Sequence, residues 1–383
     1  MILCEHGPGN SPALFDAPRE VAIATTARQV APALARAEAA RRAGGWVAGY
    51  IAYEAGFALE PKLAPLMPRR RAGPLVALGI YDAPGDAAAL LDRAAAEADQ
   101  ARLDPPRPLV SRAAYGRAFD KVAAYIAAGD CYQINLTFPM ASRLLAGSPL
   151  GLYGALRARQ AVGYGMYCDL GTGPVVISRS PELFFRVKDG TISARPMKGT
   201  APRDPDPVRD AAIAAELAAS DKGRAENLMI VDLLRNDISR ISRMGSVKVP
   251  ELFAVEPFAT VHQMSSTITG QLLDGADLPG LMSALFPCGS VTGAPKIRAM
   301  QIIREVERSP RGVYCGAMGW MSPDGDAAWN VAIRTLSLFP DGRVTLNVGG
   351  GVVHDSTADG EWEEALWKAR YATGLSATPP ASA

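Results

Sequence analysis

The alternation of apolar and polar residues changes character along the chain. Trp46–Tyr53 is a short apolar run bounded by glycines and Glu54, which predicts a buried strand. Between Ser111 and Gly129 large apolar residues recur every three or four positions, which predicts a helix that ends at the glycine. Cys131–Thr137 then alternates as a strand does.

The second half of the chain repeats this mixture. Helix-breaking residues are almost absent between Val208 and Ile241, so one long helix is expected there. Pro295 stands where a first helical turn tolerates it and opens a predicted helix over Lys296–Glu307, and Asp359–Tyr371 is predicted to close the chain as a helix. Strands are expected around the following three segments: Tyr314–Met321, Trp329–Leu338 and Arg343–Val348.

Strands that follow one another as hairpins, with helices between the blocks, favour an α+β fold. We expect large antiparallel or mixed sheets with helices packed outside them. The proline-rich stretch Asp104–Pro108 cannot continue a helix or a central strand, so we place a soft boundary there. The predicted divisions are an N-terminal region (1–105) that packs on the core, a catalytic core (106–373) and a flexible tail (374–383).

Composition excludes several classes of protein. The 383 residues carry 40 Lys and Arg against 39 Asp and Glu, a net charge of +1, which argues against a nucleic-acid-binding or polybasic membrane protein. No apolar run is long enough to cross a bilayer, and the N-terminus lacks the apolar segment of a signal peptide. The 5 cysteines are scattered and odd in number, which fits a reduced, cytoplasmic compartment. The run Arg69–Arg71 is interpreted as solvated surface rather than as a basic binding patch.

Familiar catalytic motifs are missing. The segment Gly289–Lys296 lacks the spacing of a phosphate-binding loop, and Gly349–Gly351 has no dinucleotide fingerprint around it. With 3 histidines in the chain, a histidine metal site or a serine triad has little to draw on. No cysteine lies in a nucleophile elbow, so a glutamine-hydrolysing site is not expected.

A few charged residues stand in unusual contexts. Glu226 lies in an apolar helical segment, and Glu361 and Glu364 share one face of a predicted helix, so these carboxylates could bind Mg²⁺ or simply face solvent. Lys198, in a tight turn before Gly199, could be a nucleophile, a carboxylate clamp or a surface charge. Arg334 interrupts an apolar strand and requires an anionic partner, either a substrate carboxylate or a structural ion pair.

Taken together, segments of the chain resemble the chorismate-utilising enzymes, which include component I of anthranilate synthase and of aminodeoxychorismate synthase and the isochorismate and salicylate synthases. The resemblance covers residues 110–372, roughly, in family order. It is carried by these segments: Gly129–Thr137, Ser178–Phe184, Arg195–Arg203, Arg224–Arg240, His262–Ser265, Pro287–Met300, Tyr314–Trp320, Asn330–Ser337 and Gly349–Ala369.

Two positions indicate which reaction within the family is expected. Water-adding members carry a lysine base where this chain has Gln133, and an amide cannot take a proton from water. Anthranilate-type enzymes have alanine where this chain has Lys198, and the lysine version is similar to that of the aminodeoxychorismate synthases. Met197 replaces the commoner isoleucine with a residue of similar volume, and Cys288 is interpreted as packing.

The resemblance implies a role for each site residue. Lys198 would attack C2 of chorismate as the 4-hydroxyl leaves with a proton from Glu182, and ammonia would then add at C4. Burial beside Phe184 would keep Glu182 protonated, and a nearby Mg²⁺ and Arg334 would favour the free amine of Lys198.

The remaining roles concern the two carboxylates of chorismate and its ring. One carboxylate would lie on Mg²⁺ held by Glu226 and Glu364, with Glu361 contributing directly or through water and Lys368 nearby. The other would be bound by Arg334, Tyr314 and the backbone of a Gly349–Gly351 loop. The residues expected along the ring are Gly199, Thr200, His262 and Gln133.

The implied function is the amination of chorismate for 4-aminobenzoate and folate synthesis. Ammonia would come from glutamine through a separate amidotransferase chain. Anthranilate synthase component I is the alternative, and a non-catalytic chorismate-binding subunit is a remote one.

Overall fold

A computed structural model describes residues 1–257 and 261–375 of the chain. Within these residues, two large sheets are formed, of 11 and 10 strands, and every strand pair in them is antiparallel. Helices separate and cover the strands, so the expected α+β class with large antiparallel sheets is confirmed.

The strands, in chain order, are β1 (Ile2–Cys4), β2 (Ala13–Phe15), β3 (Glu20–Ala24), β4 (Trp46–Ile51), β5 (Val76–Tyr81), β6 (Gly85–Asp86), β7 (Arg102–Leu103), β8 (Arg107–Pro108), β9 (Gln133–Ala146), β10 (Tyr164–Cys168), β11 (Val175–Ser180), β12 (Leu183–Lys188), β13 (Thr191–Arg195), β14 (Met197–Pro202), β15 (Lys248–Pro257), β16 (Val261–Gln271), β17 (Gly293–Ala294), β18 (Ala317–Met321), β19 (Ala327–Val331), β20 (Thr335–Leu338) and β21 (Arg343–Val352).

The α-helices are α1 (Ala27–Arg42), α2 (Ala55–Leu59), α3 (Ala88–Glu97), α4 (Arg112–Ala127), α5 (Pro149–Arg159), α6 (Pro207–Ala219), α7 (Asp221–Ser239), α8 (Leu278–Leu285), α9 (Lys296–Val306) and α10 (Ala358–Ala369). Short 3-10 helices lie at Pro8–Asn10, Ala64–Leu66, Ala98–Gln100, Gly289–Val291 and Arg370–Ala372.

The two sheets draw on both ends of the chain. The first has the order β17-β9-β21-β20-β11-β10-β1-β2-β6, with β7 and β8 also on β9. The second has the order β14-β16-β13-β12-β19-β18-β4-β5-β3, with β15 also on β16. Strands from the first 105 residues therefore extend both sheets, while the boundary near residue 105 stays a prediction.

The sheets contact each other through large side chains. The ring centroid of Phe15, in the first sheet, lies 5.4 Å from that of Tyr81 and 6.1 Å from that of Trp46, both in the second sheet. Burial of aromatic side chains of this size supplies much of the free energy that holds such layers together.

The prediction of one long helix over Val208–Ile241 is wrong in one respect, because the helix is broken at Ser220. The Ser220 hydroxyl accepts a hydrogen bond from the Gly223 amide at 3.1 Å and so caps α7. Satisfying an otherwise free amide of the first turn lets α7 begin in a new direction after α6.

The strand expected over Trp329–Leu338 is also two strands. Ala327–Val331 belongs to the second sheet and Thr335–Leu338 to the first, so the chain crosses between sheets at residues 332–334. Arg334 lies in that crossing with φ of 49° instead of interrupting a continuous strand.

Gly349–Gly351 is the third correction, since these residues form part of β21 and not a loop. They pair with Thr137, Leu136 and Asn135 of β9. Of the predicted tail, residues 376–383 lie outside the described residues. No helix in the described part is long and apolar enough to cross a membrane.

Candidate active site

The site is built on the glycine-rich end of β21. A Cβ on Gly350 would lie 2.6 Å from Oε2 of Glu361, and a Cβ on Gly351 would lie 2.8 Å from Nε2 of Gln133 and 3.1 Å from Nζ of Lys198. Charged and polar groups from three distant segments therefore converge on one short stretch of backbone. Side chains at the two glycines would displace them.

Helix α10 supplies the acidic residues of this region. Trp362 stacks on Phe138 of β9 with ring centroids 4.6 Å apart, which holds the helix against the first sheet. Residues three and seven positions apart share one face of a helix. Anchoring the helix in this way therefore places Glu361, Glu364 and Lys368 on the same face. All three approach the Cβ position of Gly350.

The two carboxylates of α10 differ in their environment. Glu361 accepts a hydrogen bond from the Ser356 hydroxyl at 2.6 Å, and burial raises its pKa. Its Oε2 is buried and has no hydrogen-bond partner. Glu364 instead pairs with Lys368 at 2.6 Å, and Lys368 also donates to the Gly349 carbonyl at 3.0 Å.

Glu226 approaches from the opposite side, on α7. The helix is fixed to β16 where the Ser266 hydroxyl donates to Oδ1 of Asn227 at 2.6 Å. Glu226 is close enough to act electrostatically on both Lys198 and Glu361. Even so, no preassembled group of three acidic, histidine or cysteine side chains suited to a metal ion exists among the described residues.

Lys198 lies on β14, between the α7 carboxylate and Gly351. Burial lowers the pKa of its amine, while Glu226 opposes that shift and Lys368 adds to it. Burial and Lys368 therefore favour the free amine.

Glu182 follows β11 and is buried, with 6% of its surface exposed. Burial raises the pKa of its carboxyl group, against the opposing effects of Ser290, Lys198 and Lys368. The Ser290 hydroxyl donates to Oε1 of Glu182 at 2.7 Å. A carboxyl group in this environment can hold a proton near neutral pH and donate it as a general acid.

Gln133 begins β9 and is fully buried. Neither its amide nitrogen nor its amide oxygen has a hydrogen-bond partner among the described residues. Such a group costs free energy unless a ligand satisfies it, so the pairing capacity of Gln133 is available to a substrate.

Arg334 and Tyr371 form a second polar region. No described side chain or carbonyl accepts from the Arg334 guanidinium, and burial lowers its pKa. The buried hydroxyl of Tyr371 also lacks a partner, and Arg334 acts on it electrostatically. This region meets the Glu182 segment through the backbone, because the Val331 amide donates to the Glu182 carbonyl at 3.1 Å.

Three other residues predicted to bind substrate are Tyr314, Gly199 and Thr200. Tyr314 is buried next to Cys315, whose amide donates to the Ala332 carbonyl at 2.9 Å. The Gly199 carbonyl accepts from the Gln263 amide at 2.7 Å. The exposed Thr200 hydroxyl donates to the same side chain at 3.0 Å.

His262 has its recorded contact elsewhere. Its Nε2 lies 2.8 Å from Oδ1 of Asp210 on α6, and its buried Nδ1 has no hydrogen-bond partner within the part of the chain that the structure describes. The structure records no contact between this ring and Lys198, Glu182 or Gln133.

Three further residues contact the site and were not anticipated: Ser290, Ser356 and Tyr371. Ser290 lies inside the segment Gly289–Lys296, whose resemblance to family members was a usable signal. The hydroxyls of Ser356 and Tyr371 carry no comparable signal, since only the folded chain brings them to Glu361 and Arg334. Cys288, expected to pack, is buried with its sulfur 3.2 Å from the Ser290 hydroxyl.

The chain is similar in sequence to curated proteins. Over 265 residues the chain is 44% identical to aminodeoxychorismate synthase component 1 of Klebsiella aerogenes, covering 68% of this chain and 57% of that protein. Over 246 residues it is 44% identical to anthranilate synthase component 1 of Streptomyces coelicolor, covering 64% and 48%. The chain thus spans about half the length of these curated relatives.

A solved structure is similar over most of its length. Anthranilate synthase component I of Streptococcus pneumoniae superposes with a TM-score of 0.73 at 28% identity, covering 87% of this chain and 81% of that one. Residues 8–374 match the family described as chorismate binding enzyme. Since that match takes in nearly the whole chain and every charged group of the site, the chain belongs to the chorismate binding enzyme family.

Proposed function

We propose that the chain aminates chorismate at C4 and so acts as component 1 of an aminodeoxychorismate synthase. The observation that carries this proposal is the position of Lys198: a half-buried lysine whose amine has a lowered pKa, beside Gly351 and beside the Gln133 amide, which has no partner among the described residues. Relatives bearing that name support the same reaction.

The chemistry follows from the protonation states that the site favours. The free amine of Lys198 adds to C2 of chorismate, the ring double bonds shift, and the C4–O bond breaks. Glu182 gives its proton to the departing hydroxide, which leaves as water. Ammonia then adds at C4, the double bonds shift back, and the C2–N bond to Lys198 breaks with return of the amine.

Chorismate carries two carboxylates, and two separate groups of residues can bind them. Arg334, whose guanidinium has no partner among the described residues, is suited to one carboxylate. The hydroxyl of Tyr371 lies in the same region. Gln133 can satisfy its amide on the ring substituents, and it cannot serve as a base toward water.

The donor set near the other carboxylate fits Mg²⁺. Glu226, Glu361 and Glu364 offer only carboxylate oxygens, the ligands that Mg²⁺ prefers, and Oε2 of Glu361 is buried without a partner. We propose that these residues hold Mg²⁺, which when bound supplies positive charge for a substrate carboxylate. Lys368 already supplies a positive charge to Glu364 in this region.

The ammonia source is proposed to be a separate glutamine amidotransferase chain, and the cell compartment to be the cytoplasm. The described cysteines are all free and buried, and none lies at the site with a histidine. The product would feed 4-aminobenzoate and folate synthesis.

Anthranilate synthesis is the second candidate, because the Streptomyces coelicolor relative has an identity equal to that of the Klebsiella one. One assay separates the two reactions. Purified chain is incubated with chorismate, Mg²⁺ and ammonium at alkaline pH, and the products are resolved by chromatography. We expect 4-amino-4-deoxychorismate with its pyruvate group retained.

Release of pyruvate together with a fluorescent aromatic product would instead establish anthranilate synthesis. No turnover would leave a chorismate-binding subunit. Glutamine should not replace ammonium until an amidotransferase is added, and glutamine hydrolysis by this chain alone would contradict the proposed division of labour.

A further inference from the structure

A cavity of about 1010 Å³ lies away from the groups described above. One wall is the segment after α2, from Lys62 to Arg70, and the other is the end of α9 with the turn that follows it. The walls are joined where Nε of Arg304 donates to the Leu66 carbonyl at 3.0 Å. We call this cavity the cationic groove and define its rim by Lys62, Arg69, Arg70 and Arg308.

The charges around the cationic groove are unequally satisfied. None of the four rim cations has a carboxylate, carbonyl or aromatic partner among the described residues. By contrast, each of the three acidic residues that line the groove has a hydrogen-bond or ion-pair partner. Glu307 pairs with Arg311 at 2.7 Å, and Glu305 accepts from Tyr125 at 2.8 Å. Glu54 accepts from the Gly312 amide at 3.0 Å. The groove therefore presents uncompensated positive charge.

The floor of the groove is apolar and aromatic. Tyr53, Phe57, Leu66 and Ile303 line it, and the Arg311 guanidinium lies 4.5 Å from the centre of the Tyr53 ring. Tyr53 is buried and its hydroxyl has no hydrogen-bond partner. An apolar floor with a few unsatisfied polar groups at its edge is the usual composition of a small-molecule site.

The size and position of the groove agree with such a ligand. Its volume is close to that of cavities that enclose small organic molecules, and it lies where the N-terminal third of the chain meets α9. An extended protein interface would need a larger flat area than one cavity offers. Four rim cations call for more than one acidic group on the ligand.

We propose that the cationic groove binds a small polyanion in which two or more phosphate or carboxylate groups are attached to an aromatic body. The acidic groups would pair with the rim cations, and the aromatic body would lie on the Tyr53 floor. None of the residues assigned to the chorismate site lines the groove, so the proposal does not depend on the amination reaction.

The experiment titrates the full-length chain by calorimetry with three probes. ATP carries phosphates on an aromatic base, N-benzoylglutamate carries two carboxylates on an aromatic ring, and pyrophosphate carries the anionic charge alone. The variants are Arg69→Gln combined with Arg70→Gln, and Arg308→Gln. The matched control is Arg28→Gln, an exposed arginine on α1 with no recorded partner and outside the groove.

We expect saturable 1:1 binding of at least one aromatic probe, and the better of the two identifies phosphate or carboxylate as the preferred group. Each groove variant should weaken that binding at least about tenfold, because charge-assisted hydrogen bonds to an anion are lost. The control should bind as the parent does, and raising salt should weaken binding.

Three results would overturn the proposal: no saturation by either aromatic probe at millimolar concentration, equal loss in the Arg28→Gln control, or binding unchanged in both groove variants. Pyrophosphate binding as tightly as ATP would refute the role of the aromatic floor. In a separate titration with polyglutamate, binding of this polymer without binding of either aromatic probe would overturn the proposal and assign the groove to an acidic protein segment. Tyr53→Leu, which keeps an apolar side chain but removes the ring, gives a further variant that should weaken the aromatic probes only.

Discussion

Replacement of Ser290 by alanine tests whether Glu182 works as a general acid. The Ser290 hydroxyl donates to Oε1 of Glu182 at 2.7 Å, and this bond stabilises the ionised carboxylate more than the neutral acid. Ser290→Ala removes the donor and leaves the burial of Glu182 in place. The pKa of Glu182, already raised by burial, should therefore rise further.

The size of the effect follows from the kind of bond. A hydrogen bond to a charged group contributes about 1.5–3 kcal/mol, and one pKa unit corresponds to about 1.4 kcal/mol, so the pKa should rise by about 1–2 units. Glu182 must be protonated to act, and activity falls as pH rises through its pKa. In the variant this alkaline limb should lie about 1–2 units higher.

The assay compares Ser290→Ala with the parent chain at each pH, using saturating ammonium and limiting chorismate. Taking the ratio of the two rates cancels the changing fraction of free ammonia, because both chains experience it equally. The ratio of the variant rate to the parent rate should be below one at neutral pH, because the Glu182 carboxyl group of the variant is less well oriented without the Ser290 hydroxyl. It should climb by about 10-fold or more across the alkaline limb.

Two matched variants limit the interpretation. Ser290→Thr keeps a hydroxyl donor and should restore a flat ratio. Cys288→Ala removes the sulfur 3.2 Å from the Ser290 hydroxyl without touching the donated bond, and its ratio should also be flat. A pH-independent ratio for Ser290→Ala, in a variant whose melting temperature matches the parent, would refute the assignment of Glu182 as the titrating acid.

The remaining predictions concern the amine of Lys198, the carboxylate of Glu364 and the glycine at position 351. Lys198→Ala should lower amination by at least about 1000-fold, a loss typical of removing a covalent nucleophile, while chorismate still binds. Mass spectrometry of the parent chain should show a chorismate adduct on the Lys198 peptide. The absence of that adduct together with full activity of the variant would contradict this prediction. Glu364→Gln should raise the Mg²⁺ concentration for half-maximal chorismate binding, followed by fluorescence, at least about tenfold, and an unchanged Mg²⁺ titration would exclude Glu364 as a ligand. Gly351→Ala should fold, because its Cβ meets only the flexible ends of Gln133 and Lys198, but it should lose most activity; parental activity would show that the position of the Lys198 amine is not critical.

Elements with a strong local pattern were predictable. The helix expected after Ser111 is α4, whose Tyr115, Phe119 and Val122 are buried, and its first turn is capped by the Ser111 hydroxyl at 3.2 Å. The crossing at Arg334 was not predictable, because the residues on both sides of it are buried and no glycine or proline marks the break. Two strands in different sheets look like one strand when both are covered on each face.

The charged site residues were identifiable by type and by resemblance, but their partners were not. The bond from Ser290 to Glu182 joins residues 108 positions apart, and a serine has no pattern that reveals such a contact. The same holds for Tyr371 beside Arg334. Likewise, the source of the lowered Lys198 pKa depends on burial, which is a property of the whole fold.

Gly349–Gly351 were expected in the site, but the structure expected for them was wrong. Three successive glycines suggest a flexible loop, yet none of Gly349–Gly351 has a left-handed φ, and all three pair with β9. Their function is to leave space. The absent side chains at Gly350 and Gly351 let Glu361 approach the backbone of β21 from α10, and Lys198 from β14. Because the amine lies on strand β14 and the carboxylates lie on helices α7 and α10, their separation is set by the packing of these regular elements around β21 and not by a loop.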